Sequence, residues 1–185
     1  MTAMPFQPTS HPAALPTSRP GRRARRAGVS LGCALLLAWL QVAHAQTGPI
    51  EPLDAFPSDK LEISDGKKVK HVLQVWLADS PQRQAQGLMF VRSLPPERGM
   101  LFVHDEPTPI SMWMKNTYIP LDMVFIDGRG RIQQIVEQTT PHSLAIIRSK
   151  EPALAVLEIG GGEAHRLGLH AGQRVQHPAL VVPRQ

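Results

Sequence analysis

Two acidic residues lie in apolar stretches of the sequence, where a carboxylate is unusual. Asp122 belongs to the stretch LDMVFI, and Glu158 belongs to ALAVLEI. On an extended chain Asp122 shares a face with Val124 and Ile126, so we expect its carboxylate to be at least partly buried. A buried carboxylate needs a partner, and Lys115 is the nearest candidate along the chain. Two such carboxyl groups in one cleft could serve as the acid and the base of a hydrolysis.

The segment WMKNT, residues 113–117, combines an aromatic ring with hydrogen-bonding groups. We predict that it is extended, with Trp113 and Lys115 on the same face. A tryptophan beside hydrogen-bonding groups is a typical platform for a sugar or another flat ligand, although tryptophan is more often part of a core. The predicted ligand-binding residues are Trp113, Lys115, Asn116, Thr117, Asp122 and Glu158.

Each of these residues also has a structural interpretation. Asp122 could fix the turn at residues 117–120, and Glu158 could cap the end of a strand. Structural ion pairs produce the same sequence pattern as a polar cleft, so both interpretations stay open. The candidates for catalysis are confined to Asp122 and Glu158, and whether the protein is an enzyme also stays open.

The sequence contains no recognised metal or cofactor motif. His165 and His170 are five residues apart rather than four, so they do not share a helical face, and no HExxH or GxSxG motif is present. Four methionines could hold Cu(I) through their thioethers or could fill an irregular core. They are Met89, Met100, Met112 and Met114. We predict no metal site and no cofactor, and leave the role of the methionines open.

The elements that must position these residues are mostly strands. Residues 121–126 and 131–138 are predicted to pair as a hairpin around Asp127 and Gly128, because an Asp-Gly pair tolerates positive φ. Residues 153–159 could form a strand or a helix by period alone. Residues 105–110 contain two prolines, so we expect an irregular loop there. Further strands are predicted at residues 61–63, 69–77, 100–104 and 174–176.

Short helices are predicted at two places. Ser80 and Pro81 suit the start of a helix that Gly87 can end, and residues 163–169 indicate a second helix. The predicted fold is therefore α+β and mainly β. We expect a single compact, antiparallel-rich domain, similar to a β barrel or sandwich, with two or three short helices.

The amino terminus is typical of a secretory signal peptide. Five arginines precede an apolar run at residues 29–42, which ends in Ala43-His44-Ala45. The run is too short to span a membrane, so we predict cleavage after Ala45, no stable membrane span afterwards, and a periplasmic or secreted protein. We divide the chain into a signal peptide, a linker or N-terminal arm, one domain and a C-terminal tail. These are residues 1–45, 46–60, 61–177 and 178–185.

Removal of the predicted signal peptide makes the chain formally neutral. The five arginines are among the 20 basic residues, so residues 46–185 keep 15 basic and 15 acidic residues. The high isoelectric point of the full chain therefore gives no evidence of nucleic-acid binding, and we predict no nucleic-acid partner. Cys33, the only cysteine, would leave with the signal peptide. The remaining chain then has no thiol for catalysis or metal binding.

Six short motifs occur in an order that is similar to a known family. They are GLM at 87–89, GMLF at 99–102, WMKNT at 113–117, PLD at 120–122, FID at 125–127 and LE at 157–158. In this set the chain resembles the domain of unknown function 192 family from about Val72 to Val175. The resemblance implies a single compact, mainly β domain that is often exported. It implies no reaction.

These observations leave three hypotheses of function. The first is a small-ligand binding module of the cell envelope, with a glycan as a candidate ligand. In it Trp113, Lys115, Asn116 and Asp122 form one wall and Glu158 is part of another. The second is a hydrolase of a glycan-type substrate that uses Asp122 and Glu158, and the third is a protein-interaction domain without a small ligand. The partner is accordingly a small molecule or an envelope component.

Overall fold

Nine strands, two short α-helices and two 3-10 helices (Leu53–Ala55 and Pro178–Leu180) make up the regular structure of the residues that the computed structural model describes, 48–66 and 68–180. The strands are β1 (Ser58–Asp65), β2 (Lys68–Ala78), β3 (Arg98–Thr108), β4 (Ser111–Met112), β5 (Leu121–Ile126), β6 (Ile132–Val136), β7 (Ile147–Arg148), β8 (Ala153–Gly160) and β9 (Arg174–Gln176). The α-helices are α1 (Pro81–Gln86) and α2 (Glu163–Arg166). The fold is mainly β, as predicted. The predicted signal peptide and Cys33 lie outside the described residues.

Seven of the strands form one curled sheet. Its order is β6-β5-β8-β3-β2-β1-β9, and all neighbours are antiparallel except β2 and β3, which α1 connects. The two edge strands approach each other, since Arg131 and Arg174 form a bridge and the Val175 N–H donates to the Gly130 carbonyl at 2.8 Å. The antiparallel pair β4 and β7 forms a separate two-stranded ribbon. No helix in residues 48–66 and 68–180 is long and apolar enough to cross a membrane.

The sheet buries apolar side chains on both faces. One face, called the α2 face, packs Leu101, Val124 and Leu157 against Ala164 of α2. The opposite face, called the ribbon face, packs side chains of β3, β5 and β8 against the ribbon and the segment after α1. Because both faces are covered, all six residues of β5 are buried. The sequences of the strands in the middle of the sheet are consequently continuous apolar runs, without alternation of apolar and polar residues.

The local signals for α1 are confirmed. Ser80 Oγ accepts a hydrogen bond from the Arg83 N–H at 3.3 Å, and Pro81 opens the helix. Gly87 follows the helix with a φ of 52°, a value that favours glycine. The chain therefore leaves α1 abruptly and runs into the segment that borders the ribbon face.

The hairpin of β5 and β6 is also confirmed, with a different residue at the positive φ. Asp127 Oδ1 accepts from the N–H groups of Arg129 and Arg131, both at 2.8 Å, and Gly130 rather than Gly128 has a φ of 71°. Residues 153–159, ambiguous by period, fall within β8.

Two local predictions were wrong. Residues 105–108 belong to β3, although the pairing with β8 shifts between Val103 and Thr108, which accommodates Pro107. The segment WMKNT is extended only at its start. The Thr117 N–H donates to the Met114 carbonyl at 3.1 Å and closes a turn, in which Asn116 has a φ of 56°. Asparagine tolerates this conformation better than most residues, which explains why the chain turns there.

Candidate functional site

Glu158 lies at the floor of a cleft on the ribbon face. Its neighbours across the sheet are Met100 of β3 and Met123 of β5. Only 4% of Glu158 is exposed, and burial raises the pKa of its carboxyl group to about 8. No charged or hydrogen-bonding group of the described residues counters this effect on its pKa. The side chain is therefore mostly neutral at pH 7, and it can both donate and accept a hydrogen bond.

Gly87 opens the cleft above this carboxyl group. A Cβ atom at Gly87 would lie 3.0 Å from Cζ of Phe102 and 3.8 Å from Oε2 of Glu158. A larger residue would therefore crowd the aromatic ring and reduce the access to the carboxyl group. The end of α1 consequently serves two purposes, since the same glycine terminates the helix and leaves space over Glu158.

The space above Glu158, which we call the inner cleft, has a volume of about 80 Å³. Residues 84–89 form one side, Phe102 and Glu158 the floor, and residues 111–113 with Thr117 the other side. Among these residues Glu158 is the one with an ionisable side chain. Because Glu158 is itself mostly neutral, the inner cleft has little charge at pH 7.

A second space, the outer cleft, adjoins the first and has a volume of about 390 Å³. Both clefts are lined by Trp113, whose ring is 45% exposed. Lys115 and Asn116 also line the outer cleft, and Lys115 Nζ lies 5.2 Å from the centroid of the Trp113 ring. At this distance the ammonium group interacts with the π system and restrains the ring. Ile50 lines the opposite side of the outer cleft.

Ile50 is held there by the arm that precedes β1. The side-chain amide of Gln86 donates to the Glu51 carbonyl at 2.6 Å and accepts from the Glu51 N–H at 2.8 Å. Arg83 binds the Glu51 carboxylate through two hydrogen bonds, of 2.9 and 3.1 Å, and its guanidinium lowers the pKa of that carboxyl group. Residues 50 and 51, within the segment predicted as a linker or arm, thus help to build the cleft.

Two residues beside the outer cleft, Phe90 and Asn116, have a strained backbone conformation. Phe90 has a φ of 66°, and its N–H donates to the carbonyl of Asn116, which has a φ of 56°. A positive φ is unfavourable for a bulky residue and tends to persist where the surrounding structure requires it. The two strained residues hold the WMKNT turn against the segment after α1.

Asp122 is placed by the structure away from the cleft. It is fully buried on the α2 face, paired across the sheet with Ile159. Its carboxylate accepts N–H groups from Gln138 at 2.8 Å, Gly162 at 3.0 Å and Ala164 at 2.8 Å. The expected partner, Lys115, is exposed and lies beside Trp113 instead. Asp122 therefore connects the end of β6 to the start of α2.

The two carboxyl groups consequently do not share a site. Glu158 and Ile159 are successive residues of β8, so they point to opposite faces of the sheet, and Asp122 shares the face of Ile159. The geometry gives no support to a hydrolysis in which Asp122 and Glu158 act together. Of the predicted ligand-binding residues, the structure brings Trp113, Thr117 and Glu158 to the inner cleft. Lys115 and Asn116 join Trp113 at the outer cleft.

The four methionines divide between the core and the cleft. Met100 and Met114 are fully buried, whereas Met89 and Met112 line the inner cleft. In the described part of the chain no three His, Cys, Asp or Glu side chains are placed to hold a metal ion.

Sequence reasoning missed several cleft residues. Gly87 was interpreted only as a helix terminator, and Phe102 only as a strand residue. Gln86 and Glu51 carry no local signal, because their contact joins residues 35 positions apart. The detectable signal was the GLM motif after α1, since a glycine that ends a helix can also leave room above a neighbouring side chain.

Comparison with known proteins gives a family and two similar structures. The profile of a family described as "Uncharacterized ACR", the domain of unknown function 192 family, matches residues 61–177. The chain is similar to a proposed transcription regulator from Sinorhizobium meliloti 1021, with 43% identity, 65% of this chain and 94% of that chain covered, and a TM-score of 0.62. It is also similar to a protein of unknown function from Novosphingobium aromaticivorans DSM 12444, with 35% identity, coverage of 69% and 90%, and a TM-score of 0.64. No curated protein matches the chain.

Proposed function

The chain belongs to the domain of unknown function 192 family, as its motifs predicted, and on this premise we propose that it binds a small neutral ligand in the cleft above Glu158. The family assigns no reaction, so the proposal rests on the site. A glycan is the ligand class that fits its chemistry best.

The observation that carries the proposal is the Glu158 carboxyl group. It lines the inner cleft while almost fully buried, and desolvation is the one cause of its raised pKa. The Glu158 oxygens keep some contact with solvent in the cleft. A ligand hydroxyl that hydrogen-bonds to the acid would replace that solvent contact, whereas an apolar ligand would leave the acid without a partner at a cost of about 1–3 kcal/mol.

The walls of the cleft favour a sugar over a charged molecule. The inner cleft has little charge at pH 7, so a charged ligand would lose hydration without gaining a counter-ion. Trp113 offers a half-exposed ring on which the apolar face of a sugar ring can stack. Thr117 and Ser111 add hydroxyl groups to the same walls.

We place this module in the cell envelope. The support is the pattern of residues 1–45, with five arginines, an apolar run and a small-residue site before Gln46. The name of the Sinorhizobium relative would suggest regulation of transcription. The equal number of basic and acidic residues after Ala45 gives that role no electrostatic support.

Thermal unfolding against a panel of neutral oligosaccharides and their sulfated analogues tests the proposal. A ligand at 100 times its Kd stabilises a protein by about 2.7 kcal/mol, which raises the Tm by several degrees. We expect a neutral sugar to give this shift. Glu158→Leu, which removes the hydrogen-bonding group, and Trp113→Ala should abolish it, whereas Leu144→Ala, at an exposed residue that lines neither cleft, should retain it. A panel without any shift, or a shift that survives both cleft variants, would contradict the proposal.

A further inference from the structure

The two-stranded ribbon and the residues that extend it present seven exposed side chains. Residues 111–115 and 143–148 run antiparallel, with Ser111 opposite Arg148 and the Met114 N–H donating to the Ser143 carbonyl at 3.0 Å. Met112, Met114 and Ile147 of these segments pack on the ribbon face. The exposed residues of the two segments, which we call the outer ribbon surface, are Ser111, Trp113, Lys115, Leu144, Ala145, Ile146 and Arg148. The first three border the clefts as well, whereas the other four line neither cleft.

The outer ribbon surface exposes three large apolar side chains to solvent. Leu144 is 67% exposed, and Trp113 and Ile146 are each 45% exposed. In the described residues, six large apolar side chains are exposed, and half of them lie on this one ribbon. Scattered apolar residues on a surface need no explanation, but a contiguous group marks an interaction site.

Two cations flank this apolar group. Arg148 lies at one end, opposite Ser111, and Lys115 lies near the other end, beside Trp113. The surface itself carries no acidic residue, and within residues 48–66 and 68–180 neither cation forms a salt bridge. Within the described residues, therefore, no carboxylate neutralises either positive charge.

We propose that the outer ribbon surface docks the protein on an anionic membrane surface. Tryptophan favours the boundary between headgroups and acyl chains, and leucine and isoleucine gain free energy when they enter it. Lysine and arginine can bury their aliphatic stems while their charged ends contact lipid phosphates. The binding is peripheral, because the ribbon is short and exposes only three large apolar side chains.

Membrane docking is a different function from ligand binding, and different residues can be used to test each of them. Leu144, Ile146 and Arg148 line neither cleft, and Glu158 is absent from the outer ribbon surface. Variants at the former residues should therefore affect membrane binding alone, and Glu158→Leu should affect ligand binding alone. Failure of one proposal leaves the other intact.

Co-sedimentation of the purified protein with vesicles tests docking. The probes are vesicles of phosphatidylcholine alone and of phosphatidylcholine mixed with phosphatidylglycerol. We expect binding to the mixed vesicles at low salt, and a weaker partition at high salt. Arg148→Gln should lower the partition coefficient about fivefold, the equivalent of about 1 kcal/mol per surface cation. The double change Leu144→Ser and Ile146→Ser should lower it at least about tenfold.

The matched controls lie on β1 and β2. Val72 is 45% exposed, as Ile146 is, and Lys60 is an exposed cation. Val72→Ser and Lys60→Gln should leave the partition unchanged. The absence of sedimentation with the anionic vesicles would overturn the proposal and would favour a protein as the partner of the ribbon. Sedimentation to which the ribbon variants and the controls contribute equally would overturn it as well.

Discussion

Replacement of Glu158 by glutamine should change how the stability of the protein depends on pH. The carboxyl group has its ordinary pKa of 4.5 in the unfolded chain, and burial raises that pKa to about 8 in the fold. Between these values the unfolded chain loses a proton that the folded chain keeps. The contribution of Glu158 to stability is therefore fully present below pH 4.5, and it is lost as the pH rises through about 8.

The size of the effect follows from one proton. Each pH unit within this window should lower the free energy of unfolding by about 1.4 kcal/mol, and the whole window by about 5 kcal/mol. This is comparable to the total stability of a marginal domain, about 5–15 kcal/mol. Glutamine has a similar size and no charge, so Glu158→Gln should remove the slope that Glu158 contributes.

Urea denaturation at a series of pH values from about pH 5 to about pH 8 measures this difference. The quantity to compare is the slope of the unfolding free energy against pH, because a constant offset between the side chains does not affect it. Glu106→Gln, at an exposed glutamate, serves as the control and should retain the slope of the unmodified protein. If Glu158→Gln gave the same slope as the unmodified protein, Glu158 would be ionised in the fold and the reasoning would be refuted.

Two further substitutions test the separate roles of the sheet faces. Asp122→Asn should destabilise the fold by about 2–4 kcal/mol in urea denaturation, because the carboxylate accepts three backbone N–H groups. Ligand binding should persist in the folded fraction, and its loss at unchanged stability would place Asp122 in the site. Gly87→Ala should destabilise by about 1–2 kcal/mol and also block the oligosaccharide shift, because the new methyl group crowds Phe102 above Glu158. Gly66→Ala has a comparable φ of 71° with no atom within 4 Å, so it should show the strain without loss of binding, and equal loss in both variants would contradict the steric argument.

The sequence was a good guide wherever a single residue type decides the local geometry. The cap at Ser80 and the end of α1 at Gly87 follow from side-chain chemistry within one turn. The hairpin after β5 follows from Asp127 and its two hydrogen bonds to the turn. Gly130 has the positive φ that was predicted for Gly128, because either of the two glycines in this loop can adopt it.

The site could be predicted only in part, because it depends on which residues meet across the sheet. The pattern of apolar residues predicted that Asp122 and Glu158 are buried, and the structure confirms it. It could not predict that they lie on opposite faces, since this depends on the register of β5 against β8. The turn at Asn116 does not follow from the alternating pattern, which favours an extended chain; it depends on the tolerance of asparagine for a positive φ.

The contacts of the N-terminal arm could not be predicted from residues that are close together in the sequence. Glu51 reaches Gln86 and Arg83 across more than 30 positions of sequence, and nothing in the proline-rich segment indicates that partner. The walls of the clefts therefore come from three segments, the arm, the end of α1 and the ribbon. In the sequence each of these segments looks like a connection between elements.

The most direct test of the central claim is a carboxyl ¹³C NMR titration of Glu158, with and without the neutral oligosaccharide that gives the largest Tm shift. We predict a pKa near 8 for the free protein and a displaced Glu158 resonance when the sugar is added, since the carboxyl group then gains a hydrogen-bond partner. A Glu158 resonance that titrates near its ordinary pKa of 4.5 and does not respond to the sugar would contradict the account.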